Sequence, residues 1–174
     1  MNKQNSALNR ITKESGLVVE VIEEGSGEIP NIGDTVLIHY ILYLGPGVRS
    51  SLYDYDKHCY VDDLVDSTYE GLFSGPIKII IGSETAKDGL YEEGNSIKGL
   101  DEALLEMKVG SKSRLIIPDE LAYGSEGGSS FHTFHGYRTP PYRSLDMVAE
   151  LMEIKDTTAS AQQKKERAPH GTYP

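Results

Sequence analysis

One segment of this chain has the period of a helix, and it sits among segments that have the period of strands. In "NSIKGLDEALLEMKVG" (95–110) Ile97, Leu100, Leu104 and Met107 recur at spacings of three and four, which lines them along one helical face. Asn95 or Ser96 is placed to cap the start of this helix and Gly110 to close its end. Around it lie alternating or β-branched runs: "GLVVEVIEEGSG" (16–27), "GDTVLIHYILYL" (33–44), "VDSTYEG" (65–71), "GPIKIIIGS" (75–83), "SKSRLIIP" (111–118) and "SLDMVAELMEI" (144–154). A single amphipathic helix has to bury its apolar stripe, and a sheet is the partner on offer. The expected class is therefore α+β, with five to six strands and one helix on the inner face of their sheet.

The other stretches bound the domain. Residues 1–15 are polar and aperiodic and read as a flexible leader, and 155–174 lack large aliphatic side chains and read as a disordered tail. This leaves one domain over 16–154, interrupted by long loops at 45–64 and 124–139 and large enough to bury a core. The tyrosines of the first loop, Tyr53, Tyr55 and Tyr60, stand among aspartates and read as a solvated cover.

Composition excludes several functions. A net charge of −10 argues against nucleic acid and against an anionic membrane surface, both of which need a basic footprint. Cys59 is the single cysteine, so no internal disulfide forms and no multi-cysteine metal site exists. His132 and His135 share a loop with no cysteine or acid cluster to complete a ligand set, so no metal is expected. No run approaches the ~20 apolar residues of a membrane helix, and the first residues lack the apolar core of an export signal. The expected location is cytoplasmic as the chain stands, or periplasmic if an export signal has been removed. No heptad or long apolar edge demands an oligomer, and a monomer is expected. A Ser-His-Asp hydrolase has no G-x-S-x-G to support it.

The turn "RLIIPDELAYG" (114–124) asks for a functional account. A strand breaks at Pro118, the chain passes two acids, and Tyr123 is presented beside Gly124. A strand that had only to stop needs no such construction. Elsewhere the residues alone read plainly: Tyr40 is a strand tyrosine, Asp66 before Ser67 is a turn acid, and Ile97 and Leu100 are core.

Taken in order, "GLVVEVIEEGSGEIPNIGDTVLIHY", "VDST", "GPIKIIIG", "SIKGLDEALLEMKVGSKSRLIIPDELAYG" and "TPPYRSLDMVAELMEI" give the chain its resemblance to a known family. It resembles the FKBP-type (immunophilin) peptidyl-prolyl cis-trans isomerases, as a bacterial-like member with two long loop insertions, over 16–154. The resemblance implies a twisted antiparallel half-barrel wrapped around the helix, with a shallow apolar pocket between them. It also implies isomerisation of X-Pro bonds in unfolded or partly folded polypeptides during folding, with no cofactor. Residue by residue, Tyr40 matches a pocket-wall tyrosine, Asp66 the aspartate beside the substrate, and Ile97 the residue whose amide binds ligand. Tyr123 matches the rim tyrosine that donates to a substrate carbonyl.

The family's aromatic floor is where the chain departs. Leu100 stands where tryptophan is typical, Val65 and Ile77 where phenylalanine is common, and Met147 replaces another phenylalanine. Rings supply ~150–250 Å² of rigid surface each, whereas Leu and Met wall a deeper and softer cavity. Weaker isomerase activity and poor affinity for the family's macrolide inhibitors are the expectation, with a catalytically inactive peptide-binding domain as the alternative. Phe131, Phe134 and Tyr137 of the long second loop are placed either to fold over the pocket and restore some aromatic surface or to pack within the loop itself.

Overall fold

Alternation in the sequence becomes alternation in burial. Strands β1 (Arg10–Thr12), β2 (Val18–Glu23) and β3 (Thr35–Leu44) open the chain, and β3 alternates half-buried and buried side chains through nearly its whole length. The short strands β4 (Tyr53–Asp54), β5 (Cys59–Tyr60), β6 (Leu64–Ser67) and β7 (Ile77–Ile80) come before the helix α1 (Lys98–Leu104). After it come β8 (Lys112–Ile117), a 3₁₀ turn (Asp119–Leu121), β9 (Gly128–Ser129), β10 (Arg138–Thr139) and β11 (Leu145–Asp156). This computed structural model describes residues 10–45, 53–54, 59–60, 64–69, 74–83, 96–129 and 138–156.

Seven strands form one antiparallel sheet in the order β1-β2-β8-β11-β3-β6, with β7 also on β3. β6 and β7 divide the outer edge of β3: Ile41 faces Ser67 and Leu42 faces Asp66, while Thr35–Ile38 pair with Ile77–Ile80. Thr68 closes the gap between them. Its N–H donates to the Tyr40 carbonyl at 3.0 Å, and its hydroxyl accepts from the Tyr40 N–H at 2.9 Å. The backbone of Tyr40 is thus held on that edge without a strand residue opposite it.

The sheet reaches further at both ends than the sequence suggests. Arg10–Thr12, inside the stretch expected to be a loose leader, pairs with Val18–Glu20, and β11 runs two residues past Ile154. Edge pairing satisfies backbone groups whatever the side chains are, so polarity alone did not reveal the first strand. The helix is shorter than its apolar stripe. It starts after Ile97, whose cap position has no side-chain hydrogen bond, and the Ser96 hydroxyl contacts the Ile97 carbonyl instead at 3.4 Å. Asn95 lies outside the described residues. Past Leu104 the bonds begin to tighten, with Glu106 N–H on the Ala103 carbonyl and Met107 N–H divided between those of Ala103 and Leu104, and the chain turns early towards β8 through Gly110 at φ +85°.

All four residues of the stripe are nevertheless buried: Ile97, Leu100, Leu104 and Met107 join Leu17, Ile38, Tyr40, Leu115, Ile117 and Met147 in one core. The helix approaches the sheet closely at Gly99, where an added Cβ would overlap Ile117 Cγ2. The outer face is polar. Arg114 holds both carboxylate oxygens of Asp146, at 2.9 and 2.6 Å, and reaches Glu20 at 3.3 Å, tying three neighbouring strands together.

Candidate functional site

The site begins on β3. Tyr40 points inward from the alternating strand and is fully buried. Its hydroxyl donates to Asp66 Oδ2 at 2.7 Å, and Asp66 Oδ1 accepts the Ser67 N–H at 2.9 Å. Asp66 is itself buried, so both carboxylate oxygens have donors where a lone buried charge would be costly. Burial, and then the negative charge of Asp66, push the Tyr40 phenol well above its ordinary value of 10.0. The phenol therefore stays protonated and remains a donor.

Tyr123 comes from the turn after β8. Pro118 ends the strand in an extended conformation, and the backbone winds through the 3₁₀ turn, with Leu121 N–H on the Pro118 carbonyl and Ala122 N–H on that of Asp119. Gly124 then adopts φ +56°, its N–H on Asp119 and its carbonyl accepting from Tyr142 at 2.8 Å. The acid at 119 thus serves the turn through its backbone carbonyl. Tyr123 is half-buried against the core, and its phenol too is pushed above 10.0, by burial first and by the charge of Asp66 second. That coupling places it within electrostatic reach of the Tyr40–Asp66 pair.

Between the start of the helix and this turn lies a cleft of about 270 Å³. Ser96, Ile97 and Lys98 form one wall; Glu120, Ala122 and Tyr123 through Gly127 form the other. Ile97 and Tyr123, far apart in sequence, therefore face one space. Val65, Leu100 and Met147 are buried beside Tyr40 in the core, and Ile77 packs half-buried against it; none of the four lines this cleft. Phe131, Phe134 and Tyr137, with His132 and His135, lie outside the described residues.

Sequence reasoning missed the supports. Thr68, which holds Tyr40, follows directly in "VDST", and Gly128, against which the Tyr123 ring lies, is the second of a glycine pair. The Glu120 and Glu126 side of the cleft also went unremarked, because a turn acid gives no sign of which space it borders.

Comparison with known proteins follows the same lines. The family model for FKBP-type peptidyl-prolyl cis-trans isomerase matches residues 26–145. The FKBP-type 22 kDa peptidyl-prolyl cis-trans isomerase of Escherichia coli is 33% identical over 81% of this chain and 51% of the relative. An FK506-binding protein of Neisseria meningitidis serogroup B is 28% identical over 80% of this chain and 96% of the relative. The crystal structure of FkpA from Escherichia coli superposes with a TM-score of 0.54 at 27% identity, over 84% of this chain and 51% of that one. The chain spans about half the length of the 22 kDa relative.

Proposed function

Because the chain belongs to the FKBP-type peptidyl-prolyl cis-trans isomerases, we propose that it accelerates rotation about X-Pro bonds in proline-containing polypeptides, with Tyr123, Asp66 and Tyr40 as the working residues. The observation that carries this reading is the cleft that Tyr123 and Ile97 line together, with the buried Tyr40–Asp66 pair within electrostatic reach of Tyr123.

An amide must lose its resonance to rotate, against a barrier of about 18–20 kcal/mol. The isomers of an X-Pro bond are nearly balanced yet exchange only in tens to hundreds of seconds. No nucleophile or cofactor is formally needed; the site has to bind the twisted bond better than either planar form. Tyr123 supplies a hydroxyl for the carbonyl as it turns out of plane, and Ile97 offers its N–H from the cap position of the helix. Asp66, held by Tyr40 and Ser67, presents a fixed negative charge beside them. Fixed dipoles of this kind cost no reorganisation at the moment of rotation. Every ~1.36 kcal/mol gained there is tenfold in rate.

The aliphatic residues Val65, Ile77, Leu100 and Met147 in place of rings support a turnover lower than an aromatic-floored site would give, with weak macrolide binding. The passive peptide-binding alternative gains nothing from the 22 kDa relative, which is itself named an isomerase.

A protease-coupled assay of cis-to-trans exchange in X-Pro peptides, with X varied from Leu to Glu, tests the proposal. Acceleration that drops in both Tyr123→Phe and Asp66→Ala is the expected result. A folded wild-type protein that accelerates no X-Pro peptide overturns it.

A further inference from the structure

The hydroxyl of Tyr123 helps a rotating carbonyl only if its aim is fixed, and among the described residues it makes no hydrogen bond that would fix it. The backbone on either side is anchored, by Ala122 N–H and Gly124 N–H on the Asp119 carbonyl and by Tyr142 N–H on that of Gly124. Those bonds place the Cα and leave the ring to packing.

Besides the core, one packing partner is Gly128, a buried residue of β9. A Cβ added there would lie 2.6, 2.6 and 2.7 Å from Cδ1, Cγ and Cε1 of Tyr123, inside van der Waals contact. The three nearest atoms all belong to that one ring. Backbone conformation does not explain a glycine here. Gly124 and Gly127 sit at φ +56° and +69°, where a side chain is strained, but Gly128 lies outside the positive-φ region and any residue could adopt its backbone. What the glycine supplies is the absence of a side chain beneath the ring. The platform is itself braced: β9 pairs with β10, Gly128 opposite the buried Thr139.

We propose that Gly128 is a positioning residue for Tyr123: it is the surface on which the ring lies, and it sets the direction of the hydroxyl into the cleft. The proposal rests on the isomerase reading for its effect on rate, and on geometry alone for the contact. A ring shifted by an added methyl moves its hydroxyl by about an ångström, and displacement on that scale can cost about a hundredfold in rate.

Two measurements test it. In a proton NMR spectrum of the whole chain the Gly128 Hα signals should be shifted upfield by the Tyr123 ring and return to ordinary positions in Tyr123→Leu. Ordinary shifts in the wild type would overturn the contact, and this holds even if the protein proves to have no isomerase activity. In the exchange assay Gly128→Ala should lower kcat by about ten- to a hundredfold with KM little changed. Adding Gly128→Ala to Tyr123→Phe should cost nothing more, since the hydroxyl whose aim it spoils is already gone. Losses that multiply would assign Gly128 a merely structural role and sink the proposal. Should Gly128→Ala alone fail to fold, Gly128→Ala with Tyr123→Ala should recover the stability of Tyr123→Ala, because the clash is with the ring; continued unfolding of the pair would count against the contact.

Discussion

Two of the buried bonds that hold Tyr40 can each be removed singly. Tyr40→Phe takes away the donor to Asp66 Oδ2 and leaves the carboxylate with the Ser67 N–H. A buried acceptor that loses its partner costs about 1–3 kcal/mol, so the urea midpoint should fall with an unchanged slope. Thr68→Val removes the hydroxyl that accepts the Tyr40 N–H and should cost a similar ~1–3 kcal/mol, whereas Thr68→Ser keeps the bond and should lose less. A smaller loss in Thr68→Val than in Thr68→Ser would show that the methyl group, not the hydroxyl, is what the fold uses. Tyr40, Asp66, Ile97 and Tyr123 could be proposed from the sequence because their motifs are contiguous, "IHY", "VDST", "SIKG" and "ELAYG". Thr68 and Gly128 were not, because a hydroxyl and a missing side chain announce nothing until their neighbours across space are known.

The helix is seven residues long and meets the sheet at a glycine. Two effects compete at Gly99. Alanine is the better helix former by about 1 kcal/mol. Its methyl would overlap Ile117 Cγ2, and overpacking of a filled core costs about 1–3 kcal/mol. The steric cost should win, so Gly99→Ala should lower the thermal midpoint; a rise would mean that the helix can stand off from β8 at no expense. At this scale the period of the sequence was a reliable guide to which face is buried, and a poor guide to length. Ile97 and Met107 lie on the buried stripe yet outside the helix, since a side chain keeps its place in the core when the last turn tightens from four-residue to three-residue bonds. The edge strand β1 was illegible for the converse reason: three exposed residues carry no pattern, and only a partner strand makes them a strand.

Over the whole molecule, ionisation sets the pH range in which the fold holds. Tyr40 and Tyr123 have phenols raised above 10.0, so the folded state keeps protons that the unfolded state gives up. With more protons bound when folded, stability falls as pH rises beyond about 10, and below that value their contribution is fully present. Glu150 has the opposite sign. Its hydrogen bond from Tyr69 and its pairing with Lys112 lower it from 4.5, so its contribution is present above that value and lost as pH falls through the folded one. Denaturant midpoints followed from pH 3 to 11 should therefore fall at both ends, and Tyr40→Phe should flatten the alkaline limb; an alkaline limb unchanged in that variant would place the titration elsewhere. What the sequence by itself determined is the class of fold, the order of its longer strands and its helix, and the face each buries, because hydrophobic period and turn residues act locally along the chain. Only the tertiary structure decided that Tyr123 and Ile97 share one cleft, that Val65, Leu100 and Met147 are buried in the core, and that Thr68 and Gly128 hold the two tyrosines. Those are contacts between residues distant in sequence, and their existence depends on the packing of the finished sheet against its helix.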